Sequence, residues 1–398
     1  MPSSTSSFDI PYRQIPDRNW GAVWVICAVL VLLAVASWEV KARSMQHLPG
    51  NFDGYTNFTI QWAEERRKLD EPGNDTRVLL LGSSRMLWGA DLDILEKELG
   101  ARPLQLAIAG TGPALMLQGI VDDTDFDGLV LVGVTPFLFN RLDEGFFGSD
   151  ALRWYEGVSP SEYTGYKIHS FLSRYLGFLD DGFKLFELID HYSDFSDREG
   201  AWDLNAGEWK LGYHYAERQT DMWPPVEVKG SFDNDQILAF WMLGLGRDPE
   251  PPEKMQEMAD EAVELFAPLV EKLRARGGDV VFIRMPSDGK YLEHDLATNY
   301  RELTWDPMAE GFGAVSINTM DYPELSSDLE IPEWSHLSRQ SQDDFSRRIV
   351  PVIEQYEAVG HAVRASYSYA GMSDVAMETG DTDYHSAVMS LCDNMINR

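Results

Sequence analysis

Residues 77–88 read Arg-Val-Leu-Leu-Leu-Gly-Ser-Ser-Arg-Met-Leu-Trp, and this stretch decides the fold. The apolar run over 78–81 is short and continuous and ends at Gly82, which is typical of a strand buried on both faces of a parallel sheet. Leucines spaced by three to five residues follow it, at Leu87, Leu92, Leu95 and Leu99. Because that spacing favours a helix, we expect the first β-α unit of an α/β domain here.

Four more apolar runs predict further strands of the same sheet, at residues 104–109, 129–132, 280–283 and 314–317. A long amphipathic helix over 253–276 precedes the fourth strand, and a last helix over 338–356 follows the fifth. Strands that alternate with helices imply βαβ units. The predicted fold class is therefore α/β, with a parallel sheet and helices on both of its faces.

The alternation is confined to residues 77–136 and 253–357, which we predict to form the α/β domain. Residues 137–252 interrupt it and predict a mostly helical, aromatic-rich insertion at the carboxyl edge of the sheet. Two interpretations stay open for its aromatic side chains, which either stack on sugar faces or form a small core: Trp154, Tyr155, Trp202, Trp209, Tyr213, Tyr215, Trp223 and Trp241. Outside the domain we expect a juxtamembrane connector over 39–76 with one charged helix (62–69), and polar tails over 1–19 and 358–398.

Residues 20–38 contain no charged side chain and run as WGAVWVICAVLVLLAVASW. At about 1.5 Å per residue such a helix spans the hydrocarbon core, with Trp20, Trp24 and Trp38 at interface depth. The alternative is a cleaved signal peptide. The run exceeds the usual apolar region of roughly 7–15 residues, and no small-x-small cleavage site follows it, so we expect one uncleaved transmembrane helix.

Acidic residues outnumber basic ones by 65 to 33, which gives a formal net charge of −32. Such a charge repels polyanions, so we expect no nucleic-acid partner. The two cysteines, Cys27 and Cys392, provide no disulfide framework and no cysteine-based zinc site, and the histidines lack metal-ligand spacing. We therefore expect no metal and no cofactor.

Two basic residues flank the apolar segment on each side, which leaves its orientation open.

Each predicted strand is followed by a residue that can take part in chemistry. Ser84 follows the first strand, Gly110 the second, Thr135 the third and Arg284 the fourth, and Glu333-Trp334-Ser335-His336 follows the fifth. Because ligands bind outside the carboxyl ends of the strands in an open parallel sheet, we expect these residues to converge on one edge.

This set of residues fits covalent acyl transfer. A serine at a strand-to-helix turn lies beside backbone N–H groups that stabilise an oxyanion, and Gly110 lets the backbone approach a substrate closely. His336 is then the general base, and Glu333, three residues earlier, orients its ring. Taken singly, the pieces have other interpretations: a serine helix cap for Ser84, or half of a carboxylate-bridged metal site for Glu-x-x-His, which lacks a second half in this sequence.

Gly82-Ser83-Ser84-Arg85, the Ala109-Gly110 pair and the late Glu-x-x-His together resemble the SGNH (GDSL-type) hydrolase superfamily. The resemblance covers residues 77–136 and 253–357. It implies a flavodoxin-like three-layer α/β/α sandwich with Ser84 as nucleophile, Gly110 in the oxyanion hole, His336 as base and Glu333 as orienting acid. Thr135 stands where the family has the oxyanion asparagine of Gly-x-Asn, and Ser83 stands where it has aspartate. Glu333 is one methylene longer than the family's orienting aspartate. Arg85 and Arg284 are the candidates for a replacement oxyanion donor or a substrate contact.

With its apolar N-terminal helix, the chain resembles more closely the membrane-anchored branch of that superfamily, which includes the D-alanyl transfer protein of teichoic acid modification and proteins of exopolysaccharide acylation. The branch implies a domain outside the cytoplasmic membrane, in the periplasm or at the cell surface, beside a multi-span membrane-bound O-acyltransferase. The function expected is a serine acyltransferase or esterase acting on O-acyl groups of a cell-envelope glycan or glycolipid. Two alternatives remain: a catalytically weak or inactive partner that binds glycan or the acyltransferase, and a lipid esterase at the membrane surface.

Overall fold

The computed structural model describes residues 19–45, 58–139, 145–173, 175–179, 211–245 and 248–356. The predicted tails lie outside these residues apart from Asn19, and so do Trp202 and Trp209 of the insertion.

From Val78 onward the described chain combines strands with helices. The strands are β1 (Val78–Gly82), β2 (Pro103–Gln105), β3 (Leu129–Val134), β4 (Gly212–His214), β5 (Thr220–Met222), β6 (Asp279–Arg284) and β7 (Val315–Asn318). The helices of the first half are α1 (Trp20–Met45), α2 (Phe58–Arg67), α3 (Ser84–Leu87), α4 (Leu92–Leu99), α5 (Ala114–Asp123), α6 (Pro136–Phe139), α7 (Gly145–Gly157) and α8 (Pro160–Ser173). Those of the second half are α9 (Pro224–Glu227), α10 (Phe232–Gly244), α11 (Pro252–Ala275), α12 (Gly289–Thr298), α13 (Trp305–Gly311), α14 (Pro323–Ser326) and α15 (339–356).

Five strands form one parallel sheet in the order β2-β1-β3-β6-β7. The predicted parallel sheet is thereby confirmed, with each predicted run contributing one strand. The second strand is shorter than predicted, but its backbone still follows β1, since the N–H of Ile108 donates to the carbonyl of Gly82 at 2.9 Å. The two strands β4 and β5 form a separate antiparallel hairpin within the predicted insertion.

Successive side chains of the strands point to opposite faces, and each face has its own hydrophobic core. On one face Leu79 and Leu81 pack with α5, α11 and α13. On the other, Val78 and Leu80 pack with α4 and α15. Both cores contain buried aliphatic and aromatic side chains, and the strands are buried on both faces, which is why they read as continuous apolar runs.

The helix predicted after Ser84 is divided in two. α3 has one turn, and α4 is a separate helix that begins at Leu92. Asp91 is its N-cap, since its carboxylate accepts from the N–H of Ile94 at 2.8 Å. Gly89 lies between them at a close contact, since a Cβ there would come within 2.4 Å of the Met285 side chain. Because α3 is so short, it contributes little helix dipole at Ser84.

Parts of the predicted connector and insertion belong to the cores of the sheet. α2 lies within 39–76, yet Trp62 and Ala63 are 2% and 0% exposed among the residues of the first core. In the insertion, Trp154 joins the first core, and Tyr213 and Trp223 join the second. For these three side chains the core interpretation applies.

α1 is long and apolar enough to cross a membrane, and it lies near the N-terminus. Its side chains from Trp20 through Ser37 are exposed, whereas Ala42, near its end, is completely buried in the second core. Trp38 stacks on Phe178 with ring centroids 4.5 Å apart. The end of α1 is therefore packed against the α/β domain.

Candidate functional site

The ends of three strands meet at the centre of the carboxyl edge. Gly82 of β1 pairs with Gly133 of β3, and Val134 pairs with Arg284 of β6. Ser84 and Thr135 therefore each follow a paired glycine by two residues. Gly82 has a φ of 132° and its Cα faces the backbone of Gly133 so closely that a Cβ would come within 2.5 Å of the Gly133 carbonyl oxygen. Only glycine tolerates this conformation and this approach.

The loop after β7 brings Glu333 and His336 together. Trp334 adopts a left-handed backbone with φ 73°, and this turn folds the chain back so that residues three apart face each other. The Nδ1–H of His336 donates to Glu333 Oε1 at 3.0 Å, and the backbone N–H of His336 donates to the same oxygen at 2.5 Å. Both side chains are fully buried. Since the carboxylate only accepts, it places the proton on Nδ1 and leaves the lone pair on Nε2.

A tryptophan of the insertion completes the surroundings of the carboxylate. The indole N–H of Trp241, on α10, donates to Glu333 Oε2. The centroids of the Trp241 and Trp88 rings lie 5.8 Å and 5.0 Å from that of the His336 ring. His336 thus contacts two indoles, with its Nδ1 side against Glu333.

His336 Nε2 is buried and has no hydrogen-bond partner among the described residues. A buried nitrogen without a partner is costly, so its retention points to a partner that arrives with the substrate or in the reacting state. Ser84 is the first residue of α3, and Trp88 follows the last residue of that turn. The N–H of Trp88 donates to the Ser84 carbonyl at 2.9 Å, and its ring contacts the His336 imidazole. Ser84 itself is half-buried, unlike the buried Ser83 before it. The serine turn and His336 are connected through Trp88, and among the described residues no hydrogen bond joins Ser84 Oγ to His336 Nε2.

Arg85 connects the serine turn to the histidine loop. Its Nε donates to Ser335 Oγ at 3.3 Å, and its Nη1 pairs with Asp295 of α12 at 3.0 Å. The guanidinium also lies over the Tyr291 ring, 4.5 Å from the centroid. Burial, the largest single influence, lowers the pKa of Arg85, but the surrounding acidic groups, Asp295 first among them, together outweigh it and the pKa is raised. The predicted oxyanion candidate is therefore a buried, paired cation that joins the two halves of the site.

Thr135 is engaged with the residue before the candidate nucleophile. Its hydroxyl and that of Ser83 lie 2.5 Å apart, and both side chains are buried. These are two of the positions at which the sequence departs from the pattern of the superfamily that it resembles, and they contact each other directly. The pair ties the end of β3 to the start of α3.

Gly110 and Arg284 lie at the same edge. Gly110 is exposed with φ 65°, a backbone that favours glycine, and a Cβ there would contact only Phe147 at 3.7 Å. Arg284 is 6% exposed, and its Nη1 contacts Met320 Sδ at 3.2 Å. Burial lowers the pKa of Arg284. Its side chain lines a small cavity together with Val134, Pro136, Leu296, Asn299, Arg301, Thr304, Trp305 and Met308.

Three contacts of the site have no signal in the sequence. Trp241 is one of many insertion aromatics, Asp295 is one of many acids, and Ser335 is an ordinary loop serine. No group of three or more His, Cys, Asp or Glu among the described residues has an arrangement that would hold a metal ion.

Comparison of the chain with protein-family models, with characterised proteins and with solved structures finds no match in any of the three. By its fold and its site the chain is an α/β protein with a five-stranded parallel sheet, a buried Glu333–His336 pair whose imidazole contacts Trp88 at the end of the serine turn, and one apolar N-terminal helix.

Proposed function

We propose that this protein is a membrane-anchored, SGNH-type serine acyltransferase or esterase that uses Ser84, His336 and Glu333. The observation that carries the proposal is the buried Glu333–His336 pair, whose Nε2 is left without a partner beside the serine turn. The sheet order, with the first strand between the second and third, is also that of flavodoxin-like folds, as the resemblance requires.

In the first half of the reaction, Ser84 Oγ attacks the carbonyl carbon of an acyl ester while its proton passes to His336 Nε2. The tetrahedral intermediate then collapses, the ester C–O bond breaks, and His336 returns the proton to the departing alkoxide oxygen. The acyl group remains on Ser84. Glu333 stabilises the imidazolium formed in between, because its carboxylate already accepts the Nδ1–H.

In the second half, the hydroxyl of an acceptor or of water attacks the acyl-enzyme and gives its proton to Nε2. Ser84 leaves and takes that proton back. Exclusion of water decides between transfer and hydrolysis. The backbone N–H groups at Ser84 and Gly110 are the proposed oxyanion donors, since the hydroxyl of Thr135 is shared with Ser83. Arg85 pairs with Asp295 through Nη1, but its buried Nη2 has no partner among the described residues, so it stays a candidate donor.

The substrate we propose is the O-acyl group of a cell-envelope glycan or glycolipid, handled outside the cytoplasmic membrane beside a multi-span O-acyltransferase. The apolar α1 supports the anchor, and the net charge of −32 disfavours a polyanionic partner. The compartment and the glycan come from the resemblance to the membrane-anchored branch.

A fluorophosphonate probe tests the nucleophile in the full-length protein in detergent or nanodiscs. We expect covalent labelling of the wild type, no labelling of Ser84→Ala, and a loss of about a thousandfold or more in His336→Ala. Ser83→Ala is the matched neighbour, and it should still be labelled at Ser84, which peptide mass spectrometry verifies. Labelling that depends on Ser83 instead, or that persists at the same rate without His336, would overturn the assignment.

The second candidate function is a non-catalytic partner that binds glycan or the acyltransferase. The Ser83–Thr135 pair favours it, because no asparagine is present to complete the family's oxyanion hole, and one lost donor costs about 10² to 10³ in rate. A folded wild type in membranes that resists every serine-directed probe, yet copurifies with the acyltransferase, would select this function. Preference for detergent-dispersed esters over acylated sugars would select a lipid esterase.

A further inference from the structure

Helix α8 and the residues that follow it carry four exposed apolar side chains, which we name the α8 stripe: Ile168, Phe171, Leu172 and Tyr175. Their exposed fractions are 55%, 58%, 39% and 62%, and their spacing of i, i+3, i+4 and i+7 places them on one side of the helix. Tyr175 continues the last turn, since its N–H donates to the carbonyl of Leu172 at 3.0 Å. No member of the stripe is charged. A contiguous apolar surface of this kind marks a contact site.

The other side of α8 faces the domain, so the helix is held with the stripe outward. Tyr166 packs against the first core, and Ser173 is 1% exposed. Lys167 pairs with Glu64 of α2.

The α8 stripe lies next to the end of the apolar helix α1. Beyond Tyr175 the chain forms a short 3₁₀ turn, Gly177–Leu179, that contacts α1. Arg43 of α1 donates from Nη2 to the Tyr175 carbonyl at 2.6 Å, and the Glu39 carboxylate accepts from the N–H of Gly177 at 3.1 Å. Tyr175, the last residue of the stripe, is therefore hydrogen-bonded to α1 through its backbone carbonyl.

Trp38 fixes the depth of this junction. It is the last residue of the charge-free segment 20–38. At the ends of transmembrane helices tryptophan is enriched at the boundary between lipid and water. It stacks on Phe178, three residues after Tyr175. With α1 across the bilayer, the turn after α8 lies at the level of the lipid headgroups.

We propose that the α8 stripe inserts into the surface of the same membrane that α1 crosses, so that the domain contacts the bilayer through two elements. The inference rests on α1 spanning the membrane and does not depend on the chemistry at Ser84. A lipid surface fits the stripe because it is apolar, uncharged and continuous with the interfacial end of α1. A protein of net charge −32 is repelled by anionic headgroups, so this contact depends on apolar side chains.

Depth-dependent fluorescence quenching of the full-length protein in phosphatidylcholine vesicles tests this contact. A single cysteine carries an environment-sensitive fluorophore, and Cys392 is replaced by serine throughout. One protein keeps the native Cys27 in α1 as the label site. Two others carry Cys27→Ser together with Phe171→Cys, or with Gln256→Cys on the exposed side of α11 as the aqueous control.

We expect the label at 171 to be quenched by lipid with a doxyl group near the headgroup, and to be severalfold less accessible to iodide than the label at 256. The label at 27 reports on the anchor, and quenching by a deep doxyl group is expected there. Iodide quenching at 171 equal to that at 256 would overturn the stripe contact while leaving the anchor intact. A label at 171 shielded from both iodide and doxyl lipid would overturn it as well, in favour of coverage by protein. Absence of doxyl quenching at 27 would refute the anchor itself.

Discussion

The histidine side and the serine side of the candidate site differ in how fully their polar groups are satisfied. On the histidine side, Glu333 accepts three hydrogen bonds, from the ring and the backbone of His336 and from Trp241. On the serine side, the hydroxyls of Ser83 and Thr135 are hydrogen-bonded to each other, whereas Ser84, the first residue of α3, is half-buried.

The difference indicates which groups of the candidate site are already positioned in the protein without substrate. His336, the proposed base, is fixed in orientation by Glu333 before any substrate arrives, and its one open position is Nε2. In the proposed reaction the nucleophile and the oxyanion donors lie on turns and acquire their partners from the substrate. Preorganisation of this kind reduces the reorganisation needed in the transition state. Variants on each side should therefore fail in different ways.

The largest effect is expected from Glu333→Gln. A carboxylate offers acceptor oxygens to both His336 and Trp241, whereas a glutamine offers one oxygen and turns an NH₂ group toward the other donor. The imidazolium also loses its counter-charge. We expect the rate of fluorophosphonate labelling to fall by about 10³ to 10⁴ with the fold retained. Glu330→Gln, at an exposed carboxylate three residues earlier, is the control and should label at the wild-type rate. Equal rates in the two variants would show that the base needs no orienting acid.

Arg85→Met tests the connection between the two sides. It leaves Asp295 buried and unpaired, which costs about 3–5 kcal/mol of unfolding free energy. Thermal unfolding in detergent measures the loss. Arg77→Met, in the exposed pair with Asp127, should cost at most about 1 kcal/mol. The double variant Arg85→Met with Asp295→Leu should recover most of the stability, and failure to recover it would contradict a simple buried-pair explanation.

Trp241→Phe isolates one hydrogen bond of the histidine side. The ring contact with His336 is kept and the donor to Glu333 is lost, which for a charged acceptor corresponds to about 1.5–3 kcal/mol. We expect labelling to slow by about tenfold or more. Trp88→Phe is matched, because Trp88 also contacts the His336 ring but its indole N–H has no partner among the described residues. If both variants slow labelling equally, the ring contacts and not the hydrogen bond position the base.

Asp343→Asn probes a carboxylate that, unlike Glu333, is incompletely partnered. Burial raises the pKa of Asp343, and the nearby Asp91 raises it further. A folded pKa above the unfolded one means that stability is lost as the pH rises from the ordinary value through the raised one. The asparagine variant should therefore be more stable by about 0.5 kcal/mol at pH 7, and this gain should vanish toward pH 4. Asp344→Asn, whose carboxylate contacts Arg347 and Arg348, should show no such gain in the same pH series of thermal unfolding.

The strands and the Glu333–His336 pair were accessible from the sequence because their signals are local. A buried parallel strand is a continuous apolar run, and the pair is only three residues apart on one turn. The position of Ser84, Gly110, Thr135 and Arg284 at one edge followed from the rule for parallel sheets. The structure places all four at that edge.

The partners that complete the site were not accessible, since each comes from a distant part of the chain. Trp241 reaches Glu333 across 92 positions, and Asp295 reaches Arg85 across 210. No spacing rule connects such residues. The hairpin β4–β5 was missed for a different reason: its strands have three residues each, too few for a period-2 pattern to stand out within an aromatic-rich segment.

The packed end of α1 has a consequence for how the protein encounters its substrates. From Trp38 to Arg43 the helix rises about 8 Å, and within that interval Ala42 is already buried in the second core. With α1 in the bilayer, the domain is held at a fixed height relative to the membrane, because the end of α1 packs directly against it. Its search is then two-dimensional, by lateral diffusion and by rotation about the membrane normal. For the proposed activity, acyl donors and acceptors must be brought to that height, which favours lipid-linked chains and membrane-bound partners over freely diffusing sugars.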